Sequence, residues 1–122
     1  MRILTASALG LLIGSGVTSS AMAQYQCQVV GFPAEWGINS SGAFVIASGE
    51  SCQISIPIGG RIEASKVMQN PAHGRVEQNN LANYIYVSEA GFRGRDSFVL
   101  EITGSGQSSS GTSRVTLTAE VR

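Results

Sequence analysis

The sequence predicts an all-β domain, an antiparallel β-sandwich of seven or eight short strands. Apolar and polar side chains alternate with a period of two in several short runs, which is typical of strands with one buried face. Turn-forming residues separate these runs at short intervals. No window of a dozen residues keeps an apolar face at helical spacing. A closed barrel with a similar number of strands would give the same alternation, so periodicity alone leaves both architectures open.

Length and composition indicate one small folded domain with few residues that could take part in catalysis. The chain has 122 residues, of which 43% are hydrophobic and 13% charged, and its eight basic and eight acidic side chains balance. Because no run of Lys or Arg is present, the sequence predicts no nucleic-acid binding. One His and two Cys leave few ligands or reactive groups. We therefore expect no cofactor, no metal site and no enzymatic activity.

Residues 1–23 have the three parts of a secretory signal peptide. Arg2 supplies a positive charge, residues 3–17 are mostly apolar or small, and residues 21–23 end in the pattern Ala-x-Ala. The apolar stretch is shorter than the roughly 20 residues that span a bilayer, which disfavours a membrane anchor. Cleavage after Ala23 removes 23 of the 122 residues and leaves a 99-residue domain, residues 24–122. We expect this domain to lie in the periplasm or outside the cell, with no membrane insertion after cleavage.

Cys27 and Cys52 are the only cysteines, and an oxidising compartment favours a disulfide between them. In the chain-entropy model, closing a loop of about 25 residues stabilises a protein by roughly 3 kcal/mol, a large contribution for a small domain. Two free thiols are the alternative. A redox-active pair is disfavoured because the two cysteines are far apart in the sequence and form no Cys-x-x-Cys motif.

The expected strands follow the alternating runs. Alternation is clearest in residues 98–103 and 115–122, and it recurs in residues 53–58. It is weaker in residues 61–68, where Ile62, Ala64 and Val67 do not keep one phase. Shorter strands are expected at residues 26–30, 43–47, 75–77 and 83–87.

Residues 104–113 contain only Gly, Ser, Thr and Gln. Without apolar side chains this stretch gains no burial energy to offset the entropy of ordering. It is therefore predicted to be a flexible hairpin loop between the last two strands. The alternative is a binding loop at the end of the sandwich, in which Ser108, Ser109 and Ser110 would make the contacts.

Two motifs in the second half of the chain resemble known domains. The turn reads Pro71-Ala72-His73-Gly74, and the corner reads Gly91-Phe92-Arg93-Gly94-Arg95-Asp96-Ser97-Phe98 after a strand that ends near Tyr86. Together with the alternating last strand, they make residues 61–122 similar to bacterial immunoglobulin-like and cadherin-like repeats. The resemblance implies an immunoglobulin-like β-sandwich in which Pro71, Gly74, Tyr86, Gly91, Phe92, Gly94, Asp96 and Phe98 have structural roles.

Physical chemistry supports those structural roles independently. Gly91 and Gly94 can adopt positive φ, and Phe92 between them can pack back against the core. Asp96 can accept hydrogen bonds from turn amides just before Phe98 re-enters the sheet, in the way that Asp stabilises other turns locally. The hydroxyl of Tyr84 or Tyr86 is expected to bond to the backbone, as in the tyrosine corner of sandwiches.

Calcium binding, which many cadherin-like repeats show, is not expected here. Asp96 is the only Asp in the chain, whereas calcium sites need several carboxylate and carbonyl oxygens. His73 is the only histidine and lies in the turn motif, with no nucleophile motif nearby. The glutamates are scattered along the chain, which disfavours a paired-carboxylate site.

Trp36, the only tryptophan, has two interpretations. It is either a core residue of the first half, which we favour, or an exposed anchor for a partner or a carbohydrate ring. His73 and the three serines of residues 108–110 are the other candidate surface residues.

The sequence thus supports two functional hypotheses. The first is a non-catalytic module of the bacterial cell envelope that has a structural or interaction role, with a protein or an envelope polysaccharide as its partner. The second is a small exported inhibitor of a hydrolase, a lysozyme or a protease, that inserts residues 69–74 or 104–113 into an active site.

Overall fold

The computed structural model describes residues 27–33 and 35–122, and the predicted signal peptide lies outside them. Within these residues the chain forms seven strands and no helix. The strands are β1 Ser40–Ile46, β2 Ser51–Ser55, β3 Arg61–Gln69, β4 Gly74–Asn80, β5 Asn83–Ser88, β6 Gly94–Ser105 and β7 Ser110–Val121.

The strands form two sheets, one in the order β1-β7-β6-β3 and one in the order β2-β5-β4. All neighbours are antiparallel except β1 and β7, which are parallel. The predicted β-sandwich is confirmed, and the two separate sheets settle the alternative of a closed barrel. The division of strands between the sheets is that of an immunoglobulin-like sandwich, with the first strand added in parallel beside the last.

Two strand predictions near the amino end need correction. The sequence predicts a strand at residues 26–30, but of residues 27–30, the part that the structure describes, only Val30 pairs, in an isolated antiparallel bridge to Ala43. In residues 53–58, the strand ends at Ser55, and Ile56 and Ile58 stay buried beyond it. Pro57, which has no amide hydrogen, fits the end of the ladder at this point.

The irregular phase of residues 61–68 has a structural cause. β3 pairs with β6 along its length, but the register shifts between Ile62 and Ala64 and again between Val67 and Gln69. Each shift moves the following side chains to the other face of the sheet. The two register shifts therefore explain why the apolar residues of this strand do not keep one phase in the sequence.

The core lies between the two sheets and contains an aromatic cluster. The rings of Tyr86 and Phe98 stack with centroids 5.5 Å apart, and Phe44 meets both rings edge to face at 5.6 and 6.3 Å. These three residues come from β5, β6 and β1, so the cluster joins the sheets. The other large, fully buried side chains of the described residues are Tyr84, Ile46, Ile54, Leu100, Ile102, Val115 and Leu117.

The stretch 104–113 is mostly ordered strand, which corrects the prediction of a flexible loop. The pairing of β6 with β7 continues to Ser105 and Ser110, so only residues 106–109 form the hairpin loop. Backbone pairing needs no apolar side chains, and the small residues here have specific contacts. A Cβ on Gly104 would lie 2.5 Å from the ring of Trp36, and the buried hydroxyl of Ser113 accepts a hydrogen bond from the Gly37 amide.

The disulfide between Cys27 and Cys52 is present, with the two Cα atoms 5.6 Å apart. Cys52 is on β2 and is buried, whereas Cys27 is half-buried. The bond therefore attaches the segment before β1 to the second sheet. Such a disulfide is compatible with folding in an oxidising environment.

Candidate functional site

The turn and corner motifs meet at one end of the sandwich. The turn motif lies in the connection between β3 and β4, which is residues 70–73. The corner motif begins in the connection between β5 and β6, which is residues 89–93, and continues into β6. A backbone bond from the Glu89 amide to the His73 carbonyl, 3.0 Å long, joins the two segments. We call the exposed side chains of His73 and Glu89, with the half-buried ring of Phe92, the corner surface.

Asp96 holds the turn from inside. It is 3% exposed, and its Oδ1 accepts hydrogen bonds from the backbone amides of Ala72 and His73 at 2.9 and 3.1 Å. The expectation that Asp96 bonds the amides of its own turn needs correction: Asp96 does accept bonds from turn amides, but from those of another turn. The amides belong to the turn after β3, which is 23 or more residues away in the sequence, and not to the corner beside it.

The second oxygen of Asp96 binds Tyr86. The Tyr86 hydroxyl donates a 2.7 Å hydrogen bond to Asp96 Oδ2 inside the core. Burial raises the pKa of Tyr86 well above its ordinary value, and the Asp96 carboxylate raises it further. The expectation of a backbone partner is therefore wrong for Tyr86: the hydroxyl reaches the turn backbone only through the carboxylate.

Gly74 is required by the close approach of Tyr86. A Cβ at this position would lie 2.5 Å from the Val87 carbonyl oxygen and 2.9 Å from the Tyr86 ring and hydroxyl. The spacing of Pro71 and Gly74 thus places a residue without a side chain where β4 passes the tyrosine. Pro71 itself is half-buried.

An aromatic stack forms the corner surface. The centroids of the His73 and Phe92 rings are 4.0 Å apart, and the rings stack nearly parallel, with an interplanar angle of 6°. The His73 side chain remains 48% exposed, and its Nδ1 lies 3.9 Å from the Glu89 carboxylate. Phe92 therefore covers one face of the imidazole. The rest of the ring is open to solvent, and the backbone that carries it is held by the hydrogen bond from the His73 amide to Asp96.

The corner glycines behave as the sequence predicts. Gly91 has φ of 91° and Gly94 of 135°. Phe92 is half-buried and packs against the core cluster, while Phe98 is fully buried.

The serine at the end of β5 and its neighbours were missed by the sequence analysis. Ser88 is the last residue of β5. Its buried hydroxyl lies 3.1 Å from the carbonyl oxygens of both Ala47 and Glu50. The Gly91 amide donates to the hydroxyl of Ser48 at 2.8 Å. Nothing in the spacing of these serines predicts such contacts, because the turn between β1 and β2 comes near only through the tertiary fold.

Trp36 lies at the other end of the sandwich and belongs to the core. It is 3% exposed; its indole nitrogen donates to the Gly59 carbonyl at 3.0 Å, and its amide donates to the Ser109 hydroxyl at 3.0 Å. Ser108 and Ser110 are exposed. The structure thus removes Trp36 from the candidate binding surface and places residues 108–110 far from His73, at the opposite end of β6.

The remaining ionisable groups form no second site. In the described part of the chain, no three His, Cys, Asp or Glu side chains come together as metal ligands do. Charged side chains on the outer sheet face pair with one another, as in the contact of Glu101 with Lys66 at 3.7 Å and with Arg114 at 3.3 Å.

A cavity of about 500 Å³ lies where the segment before β1 leaves that strand, between Val30, Val45 and Arg95.

Residues 27–33 and 35–122 contain no helix of the length and hydrophobicity that crossing a membrane requires. Comparison with known proteins finds no family model and no curated protein that matches the sequence.

Proposed function

We propose that this protein is an exported, non-catalytic immunoglobulin-like module of the bacterial cell envelope that binds its partner through the corner surface. Export rests on the predicted signal peptide, and the disulfide supports it. The repeat family rests on the turn and corner motifs. The partner is a protein or an envelope polysaccharide.

The observation that supports this proposal most strongly is that the potentially reactive side chains are engaged in structural contacts. Asp96, the only aspartate, is buried and fully engaged in holding the turn. The two cysteines are bonded to each other. His73 stacks on Phe92, and its Nδ1 lies 3.9 Å from the Glu89 carboxylate. These groups build and present a surface, which favours recognition over chemistry.

The corner surface suits recognition because it is already ordered. A binding surface that must be ordered on association loses part of its binding free energy to that ordering. Here the backbone of His73 is held by Asp96 and by the Glu89 amide, and its ring is held by Phe92. A flat aromatic group in a fixed position offers contact area at little entropic cost.

The test is affinity capture from an envelope extract with three versions of the 24–122 chain. We expect the wild-type chain to retain a defined partner and the His73→Ala variant to lose it. Ser108→Ala, at the opposite end of the sandwich, is the control and is expected to bind as the wild type does. His73→Ala keeps the fold because Asp96 bonds the backbone at this position and not the ring.

Two results would count against the proposal. Equal retention by all three versions would show that the corner surface is not the binding site. An amino terminus at Met1 in the native protein, in place of Gln24, would remove the basis for export.

A hydrolase inhibitor is the second candidate, favoured by the rigidity of the 70–73 turn. Protein inhibitors of hydrolases gain affinity by inserting a loop that is already in its bound shape. The two hydrogen bonds that the turn amides donate to Asp96, and the third by which Tyr86 holds Asp96, give the turn that property. Residues 106–109 form a shorter loop than the sequence predicts, so the turn is the better candidate of the two loops.

The inhibitor hypothesis is tested by titrating lysozyme and protease activities with the chain. Inhibition at one-to-one stoichiometry that is lost in His73→Ala would favour it over the envelope module. Gly74 must stay unchanged in such variants, because any side chain there meets Tyr86. No loss of hydrolase activity at equimolar chain would exclude the hydrolases tested.

A further inference from the structure

We propose that residues 27–33, called the strap below, cover an association edge on β1, and that a second copy of this chain pairs with that edge when the Cys27–Cys52 disulfide is opened. This inference does not depend on the corner surface or on the proposed function. It concerns β1, which forms one edge of the four-stranded sheet, whereas β3 forms the other edge.

The strap pairs with β1 at one point only. The amide of Val30 donates to the Ala43 carbonyl at 3.1 Å, and the amide of Ala43 donates to the Val30 carbonyl at 2.9 Å. Since alternate residues of a strand direct their backbone groups the same way, Ser41 and Val45 also face this edge. No backbone bond from the described part of the strap reaches either of them. Residues 27–33 therefore bond the backbone of this edge at Ala43 only, and a strand paired along its full length would make more backbone bonds there.

Two glycines allow the strap to approach this closely. A Cβ on Gly31 would clash with the backbone of Ser41, and a Cβ on Gly42 would clash with the carbonyl of Val30. Gly31 also has φ of 108°, which a residue with a side chain rarely adopts. The contact is thus specific to these small residues.

The disulfide is the tether at the outer end of the strap. Cys27 is bonded to Cys52 on β2, and the inner end is anchored where Trp36 bonds to Gly59 and Ser109. Between these anchors the strap has the Val30 bridge and the partly buried side chains of Val29 and Phe32. Opening the disulfide removes the covalent anchor and leaves the strap held by the Val30 bridge, by these two side chains and by the anchor at Trp36.

The other edge strands carry features that prevent pairing with another chain, and β1 does not. Edge strands are protected by charges, bulges or short length. β2 has only five residues, β3 has two register shifts and the charged residues Arg61, Glu63 and Lys66, and β4 carries Arg75 and Glu77. β1 has no charged residue, no proline and no register shift. The strap is its only cover among the described residues.

A second copy fits this edge by symmetry. Two β1 strands related by a two-fold axis run antiparallel, so each donates to and accepts from the other in one continuous sheet. Opening the disulfide takes two electrons and two protons from a dithiol, which becomes a disulfide itself and leaves two thiols on the protein.

The test compares the mass and the amide exchange of the chain with the disulfide closed and open. We expect the oxidised 24–122 chain to sediment as a monomer. The same chain in dithiothreitol, and the Cys27→Ala/Cys52→Ala variant, should sediment as dimers. At concentrations below that of dimerisation, the Ala43 amide should exchange at least about tenfold faster in the open forms, while amides of β6 and β7 stay protected.

Matched lysine variants locate the interface. In the cysteine-free background, Val45→Lys adds a charge to the β1 edge and should restore the monomer. Val99→Lys adds the same charge to the central strand β6, on the outer face of the same sheet, and should leave the dimer intact. Equal effects of the two variants would contradict pairing through β1.

A further variant keeps the proposal testable if the cysteine-free chain does not fold. Gly31→Val pushes the strap off Ser41 with the disulfide closed, and it should also give a dimer. A monomeric Gly31→Val chain, or an open form in which Ala43 exchanges no faster than in the oxidised chain, would overturn the proposal. Loss of protection throughout β6 and β7 on reduction would do so too, because the disulfide would then hold the whole fold and not the strap.

Discussion

The Tyr86 hydroxyl donates a 2.7 Å hydrogen bond to the Asp96 carboxylate in the core. Tyr86 lies on β5 of the three-stranded sheet, and Asp96 lies on β6 of the four-stranded sheet. The same carboxylate binds the turn that presents His73. One buried pair therefore joins the two sheets and sets the geometry of the corner surface.

Tyr86→Phe should destabilise the fold by about 1.5–3 kcal/mol, because it leaves a buried carboxylate oxygen without its donor. Urea unfolding of both chains measures the difference. Tyr84→Phe is the matched control, because the Tyr84 hydroxyl is buried on the same strand but donates no hydrogen bond to a carboxylate. We expect a change below about 0.5 kcal/mol there. Similar losses in both variants would mean that the Asp96 bond contributes nothing particular.

Asp96→Ala should cost more than Tyr86→Phe, about 3–5 kcal/mol, since it leaves two turn amides and a hydroxyl without an acceptor in a water-poor site. The backbone amides of Ala72 and His73 should then lose protection in hydrogen exchange. Asp96→Asn keeps one acceptor oxygen and should fall between the wild type and the alanine variant. Unchanged protection at Ala72 in Asp96→Ala would show that the turn is held by other contacts.

Gly104→Ala should displace Trp36, because the added Cβ would lie 2.5 Å from the indole ring. As the only tryptophan, Trp36 reports this by a shift of its fluorescence maximum to longer wavelength, with a loss of roughly 1–3 kcal/mol from overpacking. Gly59→Ala, where a Cβ meets nothing within 4 Å, is the control and should leave the spectrum unchanged. An unshifted spectrum in Gly104→Ala would contradict the packing described.

Stability should fall at alkaline pH. Burial raises the pKa of Tyr84, against a smaller opposing effect of Ser65, and burial together with Asp96 raises the pKa of Tyr86 above the ordinary 10.0. The folded state thus favours the protonated phenols. This contribution is complete below pH 10 and is lost as the pH rises from there towards the folded-state pKa, by up to about 1.4 kcal/mol per pH unit for each tyrosine.

Urea unfolding at pH 8, 10 and 11 measures this loss, and Tyr86→Phe serves as the comparison. The variant should show a shallower decline above pH 10 because one of the two phenols is absent. Parallel curves for wild type and variant would show that Tyr86 is not responsible.

Sequence patterns predicted most of the sandwich because strand alternation and turn residues are local properties. Phe98, Leu100 and Ile102 face the core in the predicted phase, and the disulfide joins the predicted cysteines. The errors occur where distant contacts decide. The strand expected at residues 26–30 is replaced by a single bridge at Val30 because the disulfide draws Cys27 to the other sheet.

The hairpin at residues 104–113 was predicted to be flexible from its composition alone. Its order comes from the backbone ladder and from Trp36, which lies 68 or more residues away and bonds to Ser109. For the candidate site, the turn, the corner and the acceptor role of Asp96 were visible in the motifs. The stack of His73 on Phe92 was not, since two rings 19 positions apart in the sequence come to lie parallel, one over the other, only when β4, β5 and β6 are assembled.

The amino-acid sequence by itself determined the strand periodicity, the pairing of the only two cysteines and the small residues of the turn and corner, because each of these depends on near neighbours or on composition. Tertiary structure alone decided which oxygen satisfies the Tyr86 hydroxyl, which edge the strap covers and which side of His73 meets solvent. Those relationships join residues from different sheets, and their distances exist only after the two layers have packed.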